Sequence, residues 1–66
     1  MDFPKLLRRV RSEFNEMPGL RLTLPQAARL LDLDRRACQR VIAALVRADF
    51  LRLAPDGTIV RREAEF

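Results

Sequence analysis

The stretch ARLLDLDRRACQRV, Ala28 to Val41, decides how the chain folds. A helix turns about 100° per residue and keeps its buried side chains on a stripe only somewhat wider than that. Leu33 falls two residues after Leu31, so in one unbroken helix it would point nearly opposite the stripe. A break at Asp32 lets Leu33 turn inward. Aspartate enters the left-handed backbone region more readily than most residues other than glycine, which suits Asp32 to the turn, and Asp34 is a good cap for a new helix. The stretch is therefore read as two helices joined by a tight turn.

Upstream, Thr23-Leu24-Pro25-Gln26 forms a capping box, in which Thr23 takes a backbone amide, Gln26 reaches back, and Pro25 sits safely in the first turn. The helix it opens is expected over residues 24–31, with Leu24, Ala27, Ala28, Leu30 and Leu31 inward and Gln26 and Arg29 outward. Downstream, a helix over 35–48 has Cys38, Val41, Ile42, Leu45 and Val46 as its buried stripe. Its other face is left to Arg35, Arg36, Gln39, Arg40, Ala43 and Arg47.

Farther out, Phe3, Leu6, Leu7, Val10, Phe14 and Met17 recur at spacings of three and four, which predicts a helix over 3–16 capped by Asp2, with Pro4 in its first turn. Lys5, Arg8, Arg9 and Arg11 face outward. Glu13 and Glu16 oppose the helix dipole, so fraying is expected there, and Met17-Pro18-Gly19 stops the helix. Leu20-Arg21-Leu22 alternates as a short strand over 20–22. The runs Phe50–Ala54 and Thr58–Arg62, joined by Pro55-Asp56-Gly57, read as a hairpin over 50–62. Glu63 to Phe66 carries no periodicity long enough to assign.

A chain of 66 residues buries only about 60% of its unfolded surface, which allows one domain over 1–66 and no deep substrate pocket. Its 48% hydrophobic content is too apolar for a disordered chain. No apolar run approaches the ~20 residues that span a bilayer, and MDFPKLLRRV sets charges among its apolar residues, unlike a signal peptide. A cytoplasmic protein without membrane contact is expected. The lone Cys38 excludes an internal disulfide, and without histidine a zinc site would have to rely on carboxylates and one thiolate, so no metal or cofactor is expected. The absence of His, Tyr and Trp, of a Gly-rich phosphate loop and of any serine beyond Ser12 argues against an enzyme, and no small-molecule substrate is expected.

The net charge of +4 rests on thirteen basic residues, twelve of them arginine. A GC-rich genome produces arginine bias without any function, so the placement of the arginines has to decide. The planar guanidinium fork suits phosphates and guanine edges.

Helix, short strand, helix, tight turn, helix, hairpin is the element order of winged helix-turn-helix domains, and residues 20–62 resemble that superfamily, with the first helix as its usual support. The expected class is mainly α with a small β-hairpin: three helices, a short strand and a two-stranded wing. The turn motif matches in Ala28 where the helices cross, Asp32 at the turn, inward Leu33, and apolar Ala27, Leu31, Cys38 and Val41. It departs in Asp32, where glycine is usual, and in Cys38, where valine or isoleucine is commoner. The chain is similar to bacterial or phage transcription-regulator domains, such as the small DNA-binding halves of the MarR-like and IclR-like groups.

The resemblance implies that the helix after Asp34 is a recognition helix lying in the major groove. Arg35, Arg36, Gln39 and Arg40 would then read base edges, since arginine donates two bonds to guanine and glutamine pairs with adenine, while small Ala43 allows close approach. Arg21, Arg29 and Arg47 would meet phosphates, with Arg52, Arg61 and Arg62 on the wing. Asp56 at the wing tip repels phosphate, and the wing arginines would equally protect an edge strand from aggregation. Cys38 lies on the apolar stripe and reads as a buried, inert thiol.

The expected function is sequence-specific binding of double-stranded DNA by a small transcriptional regulator that acts through operator occupancy. One reading head contacts few base pairs, so a homodimer or a partner protein is expected, with Phe3 and Phe14 or Phe66 supplying the contact. Two alternatives share the fold: a winged-helix protein-protein interaction module, and a phage-type accessory or architectural DNA binder.

Overall fold

In the computed structural model, which describes residues 2–62, three helices and a three-stranded antiparallel sheet form a helix-rich small domain. The order is α1 (Phe3–Glu16), β1 (Arg21–Leu22), α2 (Leu24–Leu31), α3 (Arg35–Arg47), β2 (Leu51–Leu53) and β3 (Ile59–Arg61). Every helix starts on a side-chain cap. Asp2 accepts from the Lys5 amide at 3.2 Å, Thr23 from the Gln26 amide at 3.3 Å and Asp34 from the Ala37 amide at 2.7 Å. Gln26 closes the capping box by accepting from the Thr23 amide at 2.9 Å. Each cap pairs a donor that has no carbonyl inside the helix and is worth about 0.5–2 kcal/mol.

Helices α2 and α3 end in the same way. Asp32 at φ 55° and Asp49 at φ 60° both occupy the left-handed region. After α2, the Leu33 amide donates to the Ala28 carbonyl at 2.9 Å and the Asp32 amide to that of Arg29 at 3.3 Å. After α3, the Phe50 amide donates to the Leu45 carbonyl and the Asp49 amide to that of Val46, both at 3.0 Å. These paired bonds make a Schellman motif, in which the left-handed residue turns the chain and an apolar residue follows onto the core. Leu33 and Phe50 are those apolar residues, half-buried against the core cluster. Arg9 of α1 reaches the first of these ends, donating to the Leu31 carbonyl at 3.5 Å.

The core is Val10 and Phe14 from α1, Ala27 and Leu31 from α2, Cys38, Val41, Ile42 and Leu45 from α3, with Leu51 and Ile59 from the sheet. Helix α3 contributes most and contacts α1, α2 and β2. Strand β3 lies between the other two, pairing Leu22 with Ile59 on one side and Leu53 with Ile59 on the other. At the hairpin tip the Gly57 amide donates to the Ala54 carbonyl at 2.9 Å, and the Ala54 amide to the Thr58 carbonyl at 2.8 Å. Gly57 sits at φ 88°, where a side chain would be strained.

Several expectations are corrected. The hairpin, expected as a two-stranded wing, is part of a three-stranded sheet completed by β1, which begins at Arg21 because the Leu20 amide bonds back to the Met17 carbonyl at 2.9 Å. Helix α3 ends at Arg47, one residue short of 48, as Ala48 already leads into the left-handed exit at Asp49. Phe50 is engaged in that exit, so β2 starts at Leu51. Met17, Leu30 and Val46, read as inward, are 47%, 47% and 36% exposed. Leu30 and Val46 each lie about 100° round the helix from the buried neighbour Leu31 or Leu45, off the stripe. Met17 follows the end of α1 and leaves its face at φ −130°. Phe14 is buried in the core, so it offers no surface to a second copy. Phe66, the other suggested contact, lies outside the described residues. No helix among the described residues is long and apolar enough to cross a membrane.

Candidate nucleic-acid interface

One side of α3 is core and the other is open. At about 100° per residue, the exposed positions follow one another around the axis as Arg35, Val46, Gln39, Ala43, Arg36, Arg47 and Arg40, a single arc about 140° wide. Ala37, Cys38, Val41, Ile42 and Leu45 occupy the opposite side and lock the rotation of the helix. The arc contains four arginines, one amide side chain and no acid. None of the four guanidiniums makes an ion pair or side-chain hydrogen bond among the described residues. Beside the first turns of α3, Asp34, Arg36, Ala37 and Arg40 line a shallow depression of about 170 Å³. The acid lining that depression, Asp34, is already engaged by the Ala37 amide.

Behind this face Cys38 is fully buried, and burial pushes its thiol up from the ordinary range, so it stays protonated and unreactive at neutral pH. Its contribution is packing.

The basic residues expected at phosphates are placed differently from those on α3. Arg29 is exposed on α2 and makes no ion pair among the described residues. Arg52 is half-buried in β2, opposite Val60. Arg21 reaches from β1 to the hairpin tip, pairing with Asp56 at 3.3 Å and donating to the Thr58 hydroxyl at 3.2 Å. Arg61 is half-buried with its guanidinium 5.5 Å from the centre of the Phe50 ring. Arg62 pairs with Asp49 at 2.7 Å. The α3 residues thus share one open face, whereas Arg21, Arg52, Arg61 and Arg62 each have interactions of their own.

At the tip, the Asp56 carboxyl is held below the ordinary aspartate range, chiefly by the Thr58 hydroxyl donating to it at 2.6 Å, then by the Thr58 amide at 3.0 Å and by Arg21. The negative charge foreseen at the wing tip is therefore partly offset by Arg21.

Three residues with structural roles escaped the sequence reading. Asp49 repeats the turn chemistry of Asp32, and the aspartate-apolar pair Asp49-Phe50 mirrors Asp32-Leu33, a signal present in the sequence. Arg9 and Arg11 carried no such signal, since their partners are the Leu31 carbonyl and the Phe50 ring, the latter 5.0 Å from the Arg11 guanidinium. Elsewhere, an open depression of about 480 Å³ lies along α1 between Arg8, Arg11, Ser12, Asn15 and Glu16. All five belong to one helix, so it lacks the enclosing walls of a small-molecule site. Among the described residues no cluster of three or more His, Cys, Asp or Glu side chains could hold a metal ion.

No protein-family model matches the chain, and no curated protein or solved structure is found to be similar to it.

Proposed function

We propose that the chain is a winged helix-turn-helix protein that binds double-stranded DNA with α3 in the major groove and acts as a small transcriptional regulator by occupying its operator. The observation that carries this reading is the α3 arc, with Arg35, Arg36, Arg40 and Arg47 grouped on one face, with no acid among them and no protein partner among the described residues. Guanidiniums left in this state are available to phosphates and to guanine O6 and N7, and Gln39 between them can pair with adenine. The Schellman turn at Asp32 and the cap at Asp34 fix how α3 leaves α2, and the buried stripe fixes which face is presented.

In this reading the hairpin is the wing. Arg52 and Arg29 serve the phosphate backbone, while Arg61 and Arg62 brace the hairpin base against Phe50 and Asp49. Binding as a homodimer would place two α3 helices on an inverted repeat with half-sites about one helical turn apart.

The test is duplex affinity across a salt series. Each phosphate neutralised contributes about −0.9 to the slope of log affinity against log salt, so several arginine contacts predict a slope steeper than about −3. A flat response would remove the DNA reading. It would favour the protein-interaction alternative, which draws support from Leu30 and Leu53, apolar side chains 47% and 61% exposed outside the α3 arc.

A further inference from the structure

We propose that the open face of α3 recognises the 5-methyl group of a pyrimidine in the major groove, and that Val46 is the residue that touches it. This rests on α3 being the DNA-facing helix. Val46 was expected on the buried stripe, yet its side chain is 36% exposed and lies between Arg35 and Gln39 on the arc. Gln39, Ala43 and Val46 follow at spacings of four and three, so they form an uncharged strip along the helix within about 60° of arc. Arg35 borders the strip on one side, with Arg36, Arg47 and Arg40 on the other.

An exposed valine gains nothing from water or from phosphate. Base edges in the major groove offer donors, acceptors and one apolar group, the methyl on pyrimidine C5. From Gln39 to Val46 the helix rises about 10.5 Å, roughly three base-pair steps of 3.4 Å. An adenine met by Gln39 and a methylated pyrimidine met by Val46 therefore fall within one short subsite, and the small Ala43 between them keeps the helix close to the bases. The bordering guanidiniums favour guanines beside that pyrimidine. The methyl has two sources, thymine and 5-methylcytosine, which carry it at the same ring position.

The probe is the duplex that wild-type protein enriches from a random pool, synthesised in three forms: unchanged, with uracil for thymine, and with 5-methylcytosine for cytosine. Burying one methyl is worth about 0.8 kcal/mol, so about a four-fold loss with uracil identifies thymine as the source, and a similar gain with 5-methylcytosine identifies the other. Val46→Ala, on an exposed helical position that favours alanine, should reduce either preference to less than about two-fold. Equal affinity of the wild type for all three forms overturns the proposal, as does a methyl preference that survives in Val46→Ala. Failure to bind any duplex is a different result and removes the DNA reading beneath it.

Discussion

Asp32 holds the turn between α2 and α3 at φ 55° without glycine's freedom, and its side chain makes no hydrogen bond among the described residues. A left-handed residue with a Cβ costs roughly 1–2 kcal/mol, part of which glycine returns as greater freedom in the unfolded chain. Asp32→Gly is therefore expected to raise stability by up to about 1 kcal/mol in urea unfolding. A loss of stability would show that the carboxylate supports the turn in some other way. Asp49 occupies the same conformation at φ 60° but pairs with Arg62 at 2.7 Å, so its replacement by glycine also removes an exposed ion pair worth roughly 0.2–1 kcal/mol. Two identical backbone solutions thus differ in what their side chains do.

Among the elements, the hairpin gives the clearest pH dependence. The Asp56 carboxyl is lowered mainly by the Thr58 hydroxyl and amide, with Arg21 adding to them. A carboxyl whose folded value lies below its unfolded value of about 3.9 stabilises the fold above that pH, and the contribution is lost as pH falls through the folded value. Wild type should therefore exceed Asp56→Asn in stability at pH 7, and the gap should be smaller at a pH below the ordinary aspartate range in denaturant unfolding. A gap of equal size at both pH values would exclude the charge as its source. The three helices and the hairpin turn were legible because caps and periodicity are local: Asp2, Thr23 and Asp34 announce the helix starts, and Pro55-Asp56-Gly57 the turn. The pairing of β1 with β3 was not legible, since a two-residue strand has too little pattern to name a partner 37 residues or more downstream. For Leu30 and Val46, hydrophobicity alone pointed inward, whereas phase within the helix points outward.

At the scale of the whole molecule, α3 does two things with two faces. Cys38, Val41, Ile42 and Leu45 join the core, and the opposite arc collects Arg35, Arg36, Gln39, Arg40 and Arg47. The candidate reading residues were legible because the same periodicity that buries one face exposes the other. The division among the remaining arginines was not, because the partners of Arg21, Arg61 and Arg62 are 35, 11 and 13 residues away and meet them only in the folded chain. Charge alone does not distinguish the α3 face, since Lys5 and Arg8 on α1 are exposed as well. The most direct test compares two variants that each lose two positive charges, Arg36→Ala/Arg40→Ala on α3 and Lys5→Ala/Arg8→Ala on α1, in duplex DNA affinity at one salt concentration. At about 1–3 kcal/mol for each reading arginine, the α3 variant should lose at least roughly thirty-fold, while the α1 variant stays within about three-fold of wild type. Equal losses in the two variants would contradict the assignment of α3 as the DNA-binding face.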